Sequence, residues 1–358
     1  MYQIDDEGGG ADGARQTGND EAVNGSSFDV VIPTIGRDSL ATLLRSLESS
    51  QGPRPSRILL VDDRRPTGEP LLRNEPSGWL AGRVSVVRGA SRGPAAARNL
   101  GWRAGSGEWV AFLDDDVAVT RTWLEDLDRD LKSAGERVAA VQGRVSVPRP
   151  QGRRLTDWER NVAALETAKW ITADMAVRRS ALASVNGFDE RFPRAYREDA
   201  DLALRLLARG DEILWGARRI EHPVREAPWW VSVRLQAGNR DDALMRRLYG
   251  RRWRRLGGWA TKRPRYFATT GAALLGLVAG IARRRSLASL AFSAWFASTA
   301  EMSWRRISPG PREPREVMAM VATSVLIPPV ATFWWLNGAA WALRNISRAN
   351  PHRLCARR

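Results

Sequence analysis

The sequence predicts an α/β domain, built on a mainly parallel sheet covered by helices, that is followed by a C-terminal hydrophobic helical region. Three observations lead to this prediction. Short apolar runs rich in β-branched residues alternate with segments of helical spacing from residue 28 to about residue 225. Beyond Arg225 this alternation stops. The remaining residues contain three long stretches without a charged side chain.

The α/β segment begins with a regular alternation of strands and helices and becomes less periodic after residue 150. Strands are predicted at 28–33, 56–63, 84–89, 108–116, 137–147, 171–179 and 212–220. Helices are predicted at 38–50, 94–105, 120–135, 155–168 and 198–210. Ligands of such sheets bind at the carboxyl ends of the strands, so we expect the polar residues that end the strands to form the functional site.

The two ends of the chain differ from this domain in composition. Residues 1–27 have few apolar side chains and are expected to form a disordered, acidic leader without a signal-peptide pattern. Residues 251–358 contain 19 basic and 3 acidic side chains, which accounts for the whole net charge of +16. Because the first 250 residues contain 37 basic and 37 acidic side chains and are therefore neutral, no nucleic-acid partner is expected. A basic helical linker at 226–265, membrane-associated helices at 266–345 and a basic tail at 346–358 complete the predicted organisation.

The uncharged stretches 266–282, 286–300 and 317–343 predict attachment to a cell membrane, with membrane lipids as partners. The first two are short for a spanning helix. The third is long enough, but Pro328 and Pro329 are expected to divide it into halves of 11 and 14 residues. A shallow, re-entrant arrangement is favoured, since it keeps every arginine cluster and the catalytic domain on the cytoplasmic side. The alternative is a small helical domain with a buried core.

Composition limits the chemistry of the functional site. The single cysteine, Cys355, excludes a disulfide scaffold and a cysteine-based zinc site. The two histidines, His222 and His352, exclude a multi-histidine metal site. A metal must therefore depend on carboxylates, which favours Mg²⁺ or Mn²⁺.

The strongest local signal is the acidic run Asp114, Asp115 and Asp116, which directly follows the apolar segment WVAFL. A divalent cation neutralises such a cluster and completes its coordination with substrate phosphates. The alternative is a solvated turn that caps the next helix.

Further polar segments are expected at the same edge of the sheet. Asp62 and Asp63 end the second strand, where carboxylates accept hydrogen bonds from a base or a ribose. The segment GPAAARNLG (93–101) is a glycine turn into a helix, and both the helix N-terminus and Arg98 suit a phosphate group. Glu198 and Asp199 begin another helix, where a carboxylate either caps the helix or acts as a general base. A histidine at position 222 follows the last strand.

Taken in order, these segments resemble the family 2 glycosyltransferases with the GT-A fold. The matching segments are DVVIPTIGR (29–37), LLVDD (59–63), GPAAARNLG (93–101), WVAFLDDDV (109–117), ADMAVRR…GFDERF (173–192), REDADLALRLLARG (197–210) and EHPVR (221–225). The resemblance implies a metal-dependent enzyme that moves a sugar from a nucleoside-diphosphate sugar to an acceptor hydroxyl and inverts the anomeric centre. The QxxRW motif of processive synthases is absent, since Gln236 and Arg240 stand in QAGNR, and long polymers are therefore not expected as products.

The resemblance also implies which residues bind the donor. Pro33, Thr34 and Asp62 match positions that hold the base and the ribose of the nucleotide. Arg98 matches a position on the diphosphate side, and Glu198 is expected among the substrate-binding residues.

The remaining implied roles concern the metal and the base. Asp114 and Asp116 match the outer acids of the DxD metal motif, where Asp114 also faces the donor. His222 matches a histidine that joins the metal shell in some family members. Asp199 matches the acid of the ED motif that deprotonates the acceptor hydroxyl, which we expect to belong to a lipid-linked or cell-envelope glycan.

Three other functions fit the sequence less well. A nucleotidyltransferase needs a basic, glycine-rich loop after the first strand, where this chain has PTIGRDSL. A Rossmann dehydrogenase needs GxGxxG, and none follows FDVVIP. A membrane-anchored module that binds nucleotide sugars without turnover stays open, although the joint presence of Asp114, Asp116 and Asp199 speaks against it.

Overall fold

The computed structural model of the protein describes residues 26–66, 68–251, 253–259 and 261–346. Nearly all of the predicted leader (1–27) and of the predicted basic tail (346–358) lies outside these residues. The strands are β1 Phe28–Thr34, β2 Arg57–Asp62, β3 Val84–Arg88, β4 Trp109–Leu113, β5 Ala118–Val119, β6 Val138–Ser146, β7 Asp174–Arg178 and β8 Glu212–Glu221. Within the described part of the chain they form one eight-stranded sheet in the order β3-β2-β1-β4-β7-β6-β8-β5.

The sheet is mainly parallel. Strands β1, β2, β3 and β4 pair in parallel, and so do β6 and β8. Strand β7 lies between β4 and β6 and runs antiparallel to both, and β5 runs antiparallel to β8. The predicted fold class is thereby confirmed. The sequence did not predict β5, because two residues are too few to show a period.

Helices cover both faces of the sheet. Helix α1 (Ser39–Ser49) and helix α3 (Trp123–Ser133) lie on one face, where Val30 and Ile32 of β1 are buried. Helix α2 (Pro94–Ala104) and helix α6 (Glu198–Ala208) lie on the other face, which buries Val31. Because successive residues of β1 enter opposite cores, the strand is an unbroken apolar run in the sequence.

Five shorter α-helices lie around the sheet in the described part of the chain. They are α4 Asp157–Ala163, α5 Arg179–Ser184, α7 Val231–Arg234, α8 Asn239–Tyr249 and α9 Trp253–Leu256. The segment predicted as a basic helical linker (226–265) therefore contains α7, α8 and α9. Leu244, Leu248 and Trp253 of this segment are buried together with Leu204 of α6, so the segment packs on the sheet domain.

Three long helices end the described chain: α10 Arg263–Ile281, α11 Arg285–Ile307 and α12 Pro314–Asn345. Helices α10 and α11 form a hairpin. Among the described residues, α12 is the one helix that is long and apolar enough to cross a membrane. The expected division of this segment at Pro328 and Pro329 is wrong, since α12 continues through both prolines. Its contacts with α8 and with the hairpin outweigh the backbone hydrogen bonds that the prolines remove.

Candidate active site

The candidate active site lies where the carboxyl ends of β1, β2 and β4 meet the start of α6. The three strands are neighbours in the sheet, so the residues that follow them share one edge. Helix α2 crosses behind this edge and carries Arg98 into it. The sequence segments that were expected at a common edge are therefore close in space.

Arg98 is the central side chain of the site and is only 2% exposed. Its Nη1 donates a hydrogen bond to Glu198 Oε1 at 2.8 Å, and its Nη2 donates to Asp114 Oδ1 at 2.8 Å. Within the described chain, the buried atoms Arg98 Nε and Glu198 Oε2 have no hydrogen-bond partner. Arg98 thus joins the acidic run after β4 to the first turn of α6 and retains one unused donor.

Asp115 is held from the end of β1. Thr34 Oγ1 donates a hydrogen bond to Asp115 Oδ2 at 2.5 Å, and Arg37 donates to the other carboxylate oxygen. The hydroxyl of Thr34, which was expected at the base and ribose, is therefore used to position the acidic run. Pro33 precedes it and is half-buried.

Asp116 lies beside His222 at the end of β8. Their closest atoms, Asp116 Oδ1 and His222 Nε2, are 3.7 Å apart, and Arg225 Nε is 3.1 Å from the other oxygen of Asp116. Burial, followed by repulsion from Asp114, raises the pKa of Asp116. A buried carboxylate of this kind favours a further cation. Each of the three consecutive aspartates is thus paired with a different arginine: Arg98, Arg37 and Arg225.

Asp62 is already paired in this structure. Arg64 donates to both of its oxygens at 2.8 and 2.9 Å, and Arg88 donates at 2.6 Å. The hydrogen bond from Arg64 is the main cause of a lowered pKa of Asp62. The predicted contact between Asp62 and a nucleotide therefore requires the Asp62 carboxylate to accept hydrogen bonds from the nucleotide and from Arg64 at the same time. The neighbouring Asp63 accepts a hydrogen bond from the backbone N–H of Gly93 at 2.7 Å.

The turn into α2 requires the glycine at position 93. Gly93 has φ of 95°, and a Cβ atom there would lie 2.4 Å from the carbonyl oxygen of Pro193. The turn borders a cleft of about 580 Å³ at the carboxyl ends of β1, β2 and β3. Arg64, Arg65 and Arg92 line this cleft, so it combines room for a nucleotide with positive charge.

Asp199 is the second residue of α6 and remains partly exposed. Its Oδ1 accepts a hydrogen bond from the backbone N–H of Ala200 at 2.7 Å. Burial raises the pKa of Asp199 to about 6, and the charge of Asp114 acts in the same direction. Burial and the neighbouring Asp199 also raise the pKa of Glu198. A carboxylate that titrates near pH 6 is well suited to accept a proton near neutrality.

The predicted metal ligands are only partly brought together. The described residues contain no group of three or more His, Cys, Asp or Glu side chains arranged to hold a metal ion. Asp114 faces Arg98, whereas Asp116 and His222 lie side by side. Mg²⁺ and Mn²⁺ often bind to one or two protein side chains and complete their coordination with water and phosphate oxygens. The pair formed by Asp116 and His222 fits such an ion.

Arg37 and Arg225 were not predicted from the sequence, and Asp115 was predicted only as a member of the acidic run, without a role of its own. All three belong to segments that were quoted for the family resemblance. A useful signal was present in the acidic run itself, because three adjacent carboxylates near a buried strand require several counter-charges. The sequence does not show which arginines supply them.

Residues 29–191 match the family model described as Glycosyl transferase family 2. These residues form a family 2 glycosyltransferase domain. The predicted family is confirmed, and the fold and site described above belong to this domain together with α6 and β8, which follow it directly in the chain.

Two groups of curated relatives are similar to the chain. It is 33% identical over 192 residues to the pre-mycofactocin glycosyltransferase of two Mycobacterium tuberculosis strains, which covers 51% of this chain and 39% of that protein. It is 26% identical over 236 residues to the succinoglycan biosynthesis protein ExoM of Rhizobium meliloti (strain 1021), which covers 61% of this chain and 75% of that protein. The chain thus spans about two fifths of the length of the mycobacterial relatives.

The solved structures that align with part of the chain include the following two. GalNAc-T7 with UDP, GalNAc and Mn²⁺ aligns with a TM-score of 0.45 and 20% identity, covering 57% of this chain and 44% of that one. Staphylococcus aureus TarS 1-349 in complex with UDP aligns with a TM-score of 0.42 and 14% identity, covering 87% and 92%.

Proposed function

We propose that the protein is an inverting, metal-dependent glycosyltransferase that transfers a sugar from a nucleoside-diphosphate sugar to an acceptor hydroxyl. The observation that carries this proposal is the bridge that Arg98 makes between Asp114 and Glu198. This buried cation lies between the acidic run that follows β4 and the first turn of α6, where Asp199 stands. Diphosphate binding and proton transfer would then occur at one edge of the sheet.

The donor is assigned to the arginine-lined cleft beside Gly93. The base and ribose would contact the ends of β1 and β2, near Pro33 and Asp62. The diphosphate would lie toward the N-terminus of α2, whose backbone N–H groups favour anions, and toward Arg98. Arg98 would act on the diphosphate through its positive charge, because its Nε–H is buried.

Asp116 and His222 would hold the Mg²⁺ or Mn²⁺ ion, and Asp114 would join them through the carboxylate oxygen that Arg98 does not contact. When bound, such an ion supplies positive charge that stabilises the leaving diphosphate. Arg225, whose Nε lies 3.1 Å from Asp116 Oδ2, is a second cation beside this carboxylate.

Asp199 is assigned as the general base. Its carboxylate would take the proton of the acceptor hydroxyl while the hydroxyl oxygen attacks the anomeric carbon from the face opposite the diphosphate. The new glycosidic bond forms as the bond to the diphosphate breaks, and a single displacement of this kind inverts the anomeric centre. The hydrogen bond from Ala200 N–H keeps the carboxylate oriented.

We further propose that transfer is non-processive and takes place at the cytoplasmic face of the cell membrane. Gln236 and Arg240 serve packing: Gln236 donates to Ser232 O at 2.8 Å, and Arg240 stacks on Trp341 at 5.3 Å from the ring centre. The name of the relative ExoM refers to succinoglycan biosynthesis. Together with the apolar C-terminal helices, this supports a lipid-linked or cell-envelope glycan as the acceptor.

Donor turnover tests the proposal. Full-length protein is incubated with UDP-, GDP- and dTDP-sugars in Mn²⁺, in Mg²⁺ and in EDTA, and release of the nucleoside diphosphate is measured. We expect metal-dependent turnover of one donor that is lost in Asp116→Asn and retained in Asp211→Asn, a matched change at the turn between α6 and β8. Donor binding without turnover would instead support the inactive binding module. Absence of both would refute the proposal.

A further inference from the structure

Helix α12 is fixed to the catalytic domain at both of its ends. Near its start, Glu316 Oε1 accepts a hydrogen bond from the backbone N–H of Asp157 in α4 at 2.8 Å. Just beyond its end, the carbonyl of Ile346 accepts a hydrogen bond from Arg247 of α8 at 2.6 Å. Close to that end, Gly338 lies against the backbone of Arg240. The longest apolar helix therefore lies along the domain and could cross a bilayer only by losing these contacts.

The hairpin of α10 and α11 is attached to α12 by its open end. Thr270 is hydrogen-bonded to Thr332 at 3.3 Å, and Arg306 donates to Thr323 Oγ1 at 2.7 Å. In the described structure, no hydrogen bond joins residues 271–297 to an element other than the hairpin itself. These residues touch α12 through apolar side chains that border a cavity of about 290 Å³ near Pro329.

The closed end of the hairpin exposes large apolar side chains on more than one face. In α11, Leu287 and Phe296 are nine residues apart, which places them on opposite sides of the helix, and both are exposed, at 44% and 67%. A protein partner would cover one face, whereas hydrocarbon surrounds a helix on all sides. The exposed apolar residues of this part are Leu274, Leu275, Leu277, Val278, Ile281, Leu287, Leu290, Phe292 and Phe296.

Basic side chains stand at both ends of this apolar part. Arg283, Arg284 and Arg285 form the exposed closed end, and Arg263 and Arg265 lie at the open end. The 19 residues of α10 correspond to ~29 Å of helix, close to the ~30 Å hydrocarbon core of a bilayer. Arginines at such positions can reach anionic headgroups.

We propose that the hairpin of α10 and α11, and not the longer α12, is the element that enters the lipid bilayer, with anionic phospholipid as its partner. Helix α12 then lies at the bilayer surface, with its outer residues Phe333 and Leu336 toward lipid. This inference rests on the proposed membrane location and is independent of the proposed chemistry.

Vesicle flotation tests this assignment. Full-length protein is reconstituted with vesicles of phosphatidylcholine and phosphatidylglycerol, and the floating fraction is measured. The double variant Leu290→Glu/Phe296→Glu in the hairpin is compared with Leu336→Glu/Leu343→Glu on the outer face of α12, whose leucines are similarly exposed. We expect the hairpin variant to lower the bound fraction by about tenfold or more, because carboxylates are costly in hydrocarbon, and the α12 variant to lower it by less than about threefold.

Three results would overturn the inference. The α12 variant could release the protein while the hairpin variant still floats, which would make α12 the membrane helix. The unaltered protein could fail to float. It could also form, without lipid, a dimer that the hairpin variant abolishes, which would identify a second copy as the partner. Donor turnover is measured on the same samples, so that a failure of the proposed chemistry is recognised separately.

A second inference concerns Arg197, which directly precedes Glu198 and Asp199. Its backbone is left-handed, with φ of 78°, a conformation that is uncommon for residues other than glycine. Its guanidinium lies 5.0 Å from the ring centre of Trp253 and 4.7 Å from that of Trp259. The Nε–H of Arg197 donates to Asp242 Oδ1 at 2.9 Å.

These contacts connect the segment after the sheet domain to the catalytic turn. Asp242 belongs to α8 and Trp253 to α9, so helices beyond the sheet hold the side chain. In the first turn of α6, the backbone N–H of Asp201 donates a hydrogen bond to the carbonyl of Arg197 at 2.9 Å. Given the proposed role of Asp199, the geometry points to Arg197 as a positioning residue for that carboxylate.

Steady-state kinetics of Arg197→Ala and Arg197→Gly test this role. We expect Arg197→Ala to lower kcat by up to about 10²-fold through displacement of Asp199, with the donor KM nearly unchanged. Glycine adopts the left-handed backbone without strain, so Arg197→Gly should recover part of the lost kcat. Arg209→Ala at the other end of α6 is the matched control and should have no effect.

A parallel loss in KM and kcat, or equal kcat in the glycine and alanine variants, would overturn the positioning role. Thermal unfolding of each variant shows whether it is folded. Asp199→Asn is measured alongside: full transfer by that variant would show that the assignment of the base itself has failed.

Discussion

Replacing Arg98 by methionine tests whether the buried ion pairs hold the candidate site together. Arg98 and Glu198 are each 2% exposed, whereas Asp114 is 30% exposed. Methionine has a similar length and carries no charge. The variant therefore leaves Glu198 as a buried carboxyl group without its cation, and leaves Asp114 with access to water.

The expected loss in free energy of unfolding is about 3 kcal/mol, since removal of one partner of a buried ion pair typically costs ~3–5 kcal/mol. The lower end of that range applies because Glu198 can bind a proton: burial already raises its pKa above the ordinary 4.5. Asp114 contributes little, because exposed ion pairs are worth ~0–1 kcal/mol.

The loss should also depend on pH. Between the unfolded and the raised folded pKa of Glu198, the folded variant binds a proton that the unfolded chain has released. The unfolded state is therefore favoured as the pH rises, by up to ~1.4 kcal/mol per pH unit. The variant should be destabilised more at pH 8 than at pH 6.

Urea unfolding of the purified variants at the two pH values measures both effects. The double variant Arg98→Met/Glu198→Gln should recover more than half of the stability, because no buried charge is left unpaired. Arg103→Met, on the exposed side of the same helix, should change the stability by less than about 0.5 kcal/mol. The reasoning is refuted if Arg98→Met costs less than about 1 kcal/mol, or if the double variant is no more stable than the single one.

Four further predictions concern catalysis. Asp199→Asn should retain donor affinity by calorimetry and lower transfer by about 10²–10⁴-fold. In the unaltered protein, transfer should rise with pH through about 6, since the base acts deprotonated, and a flat profile between pH 5 and 7 would contradict this. Asp116→Ala should remain folded with transfer reduced by orders of magnitude, as should the unaltered protein in EDTA; transfer that survives both excludes a metal at Asp116. Arg225→Ala removes a cation that competes at Asp116, so the Mn²⁺ concentration for half-maximal transfer should fall, and a rise would make Arg225 part of the metal-dependent step.

The order of the strands and helices around the site could be predicted from the sequence, because it depends on local patterns. The apolar runs that became β1 and β4 are buried on both faces, and the glycine turn before α2 is dictated by a close backbone approach. The acidic residues that follow β4 and begin α6 could also be recognised in the sequence as candidate site residues, because they stand at the end of a strand and at the start of a helix. Strand β5 could not be predicted from the sequence, since two residues are too few to show the alternation of a strand.

The partners of the acidic residues were decided only by the tertiary structure. Thr34 meets Asp115 across 81 residues of chain, and Arg98 meets Glu198 across 100. An arginine-rich sequence offers many possible counter-charges for each carboxylate, and only the fold selects one. The path of α12 through Pro328 and Pro329 was decided in the same way, because local propensity favours a break at proline while packing along α8 and the hairpin stabilises a continuous helix. Local patterns therefore determined where along the chain the reactive groups stand. Long-range packing determined which of these groups form hydrogen bonds and ion pairs with each other.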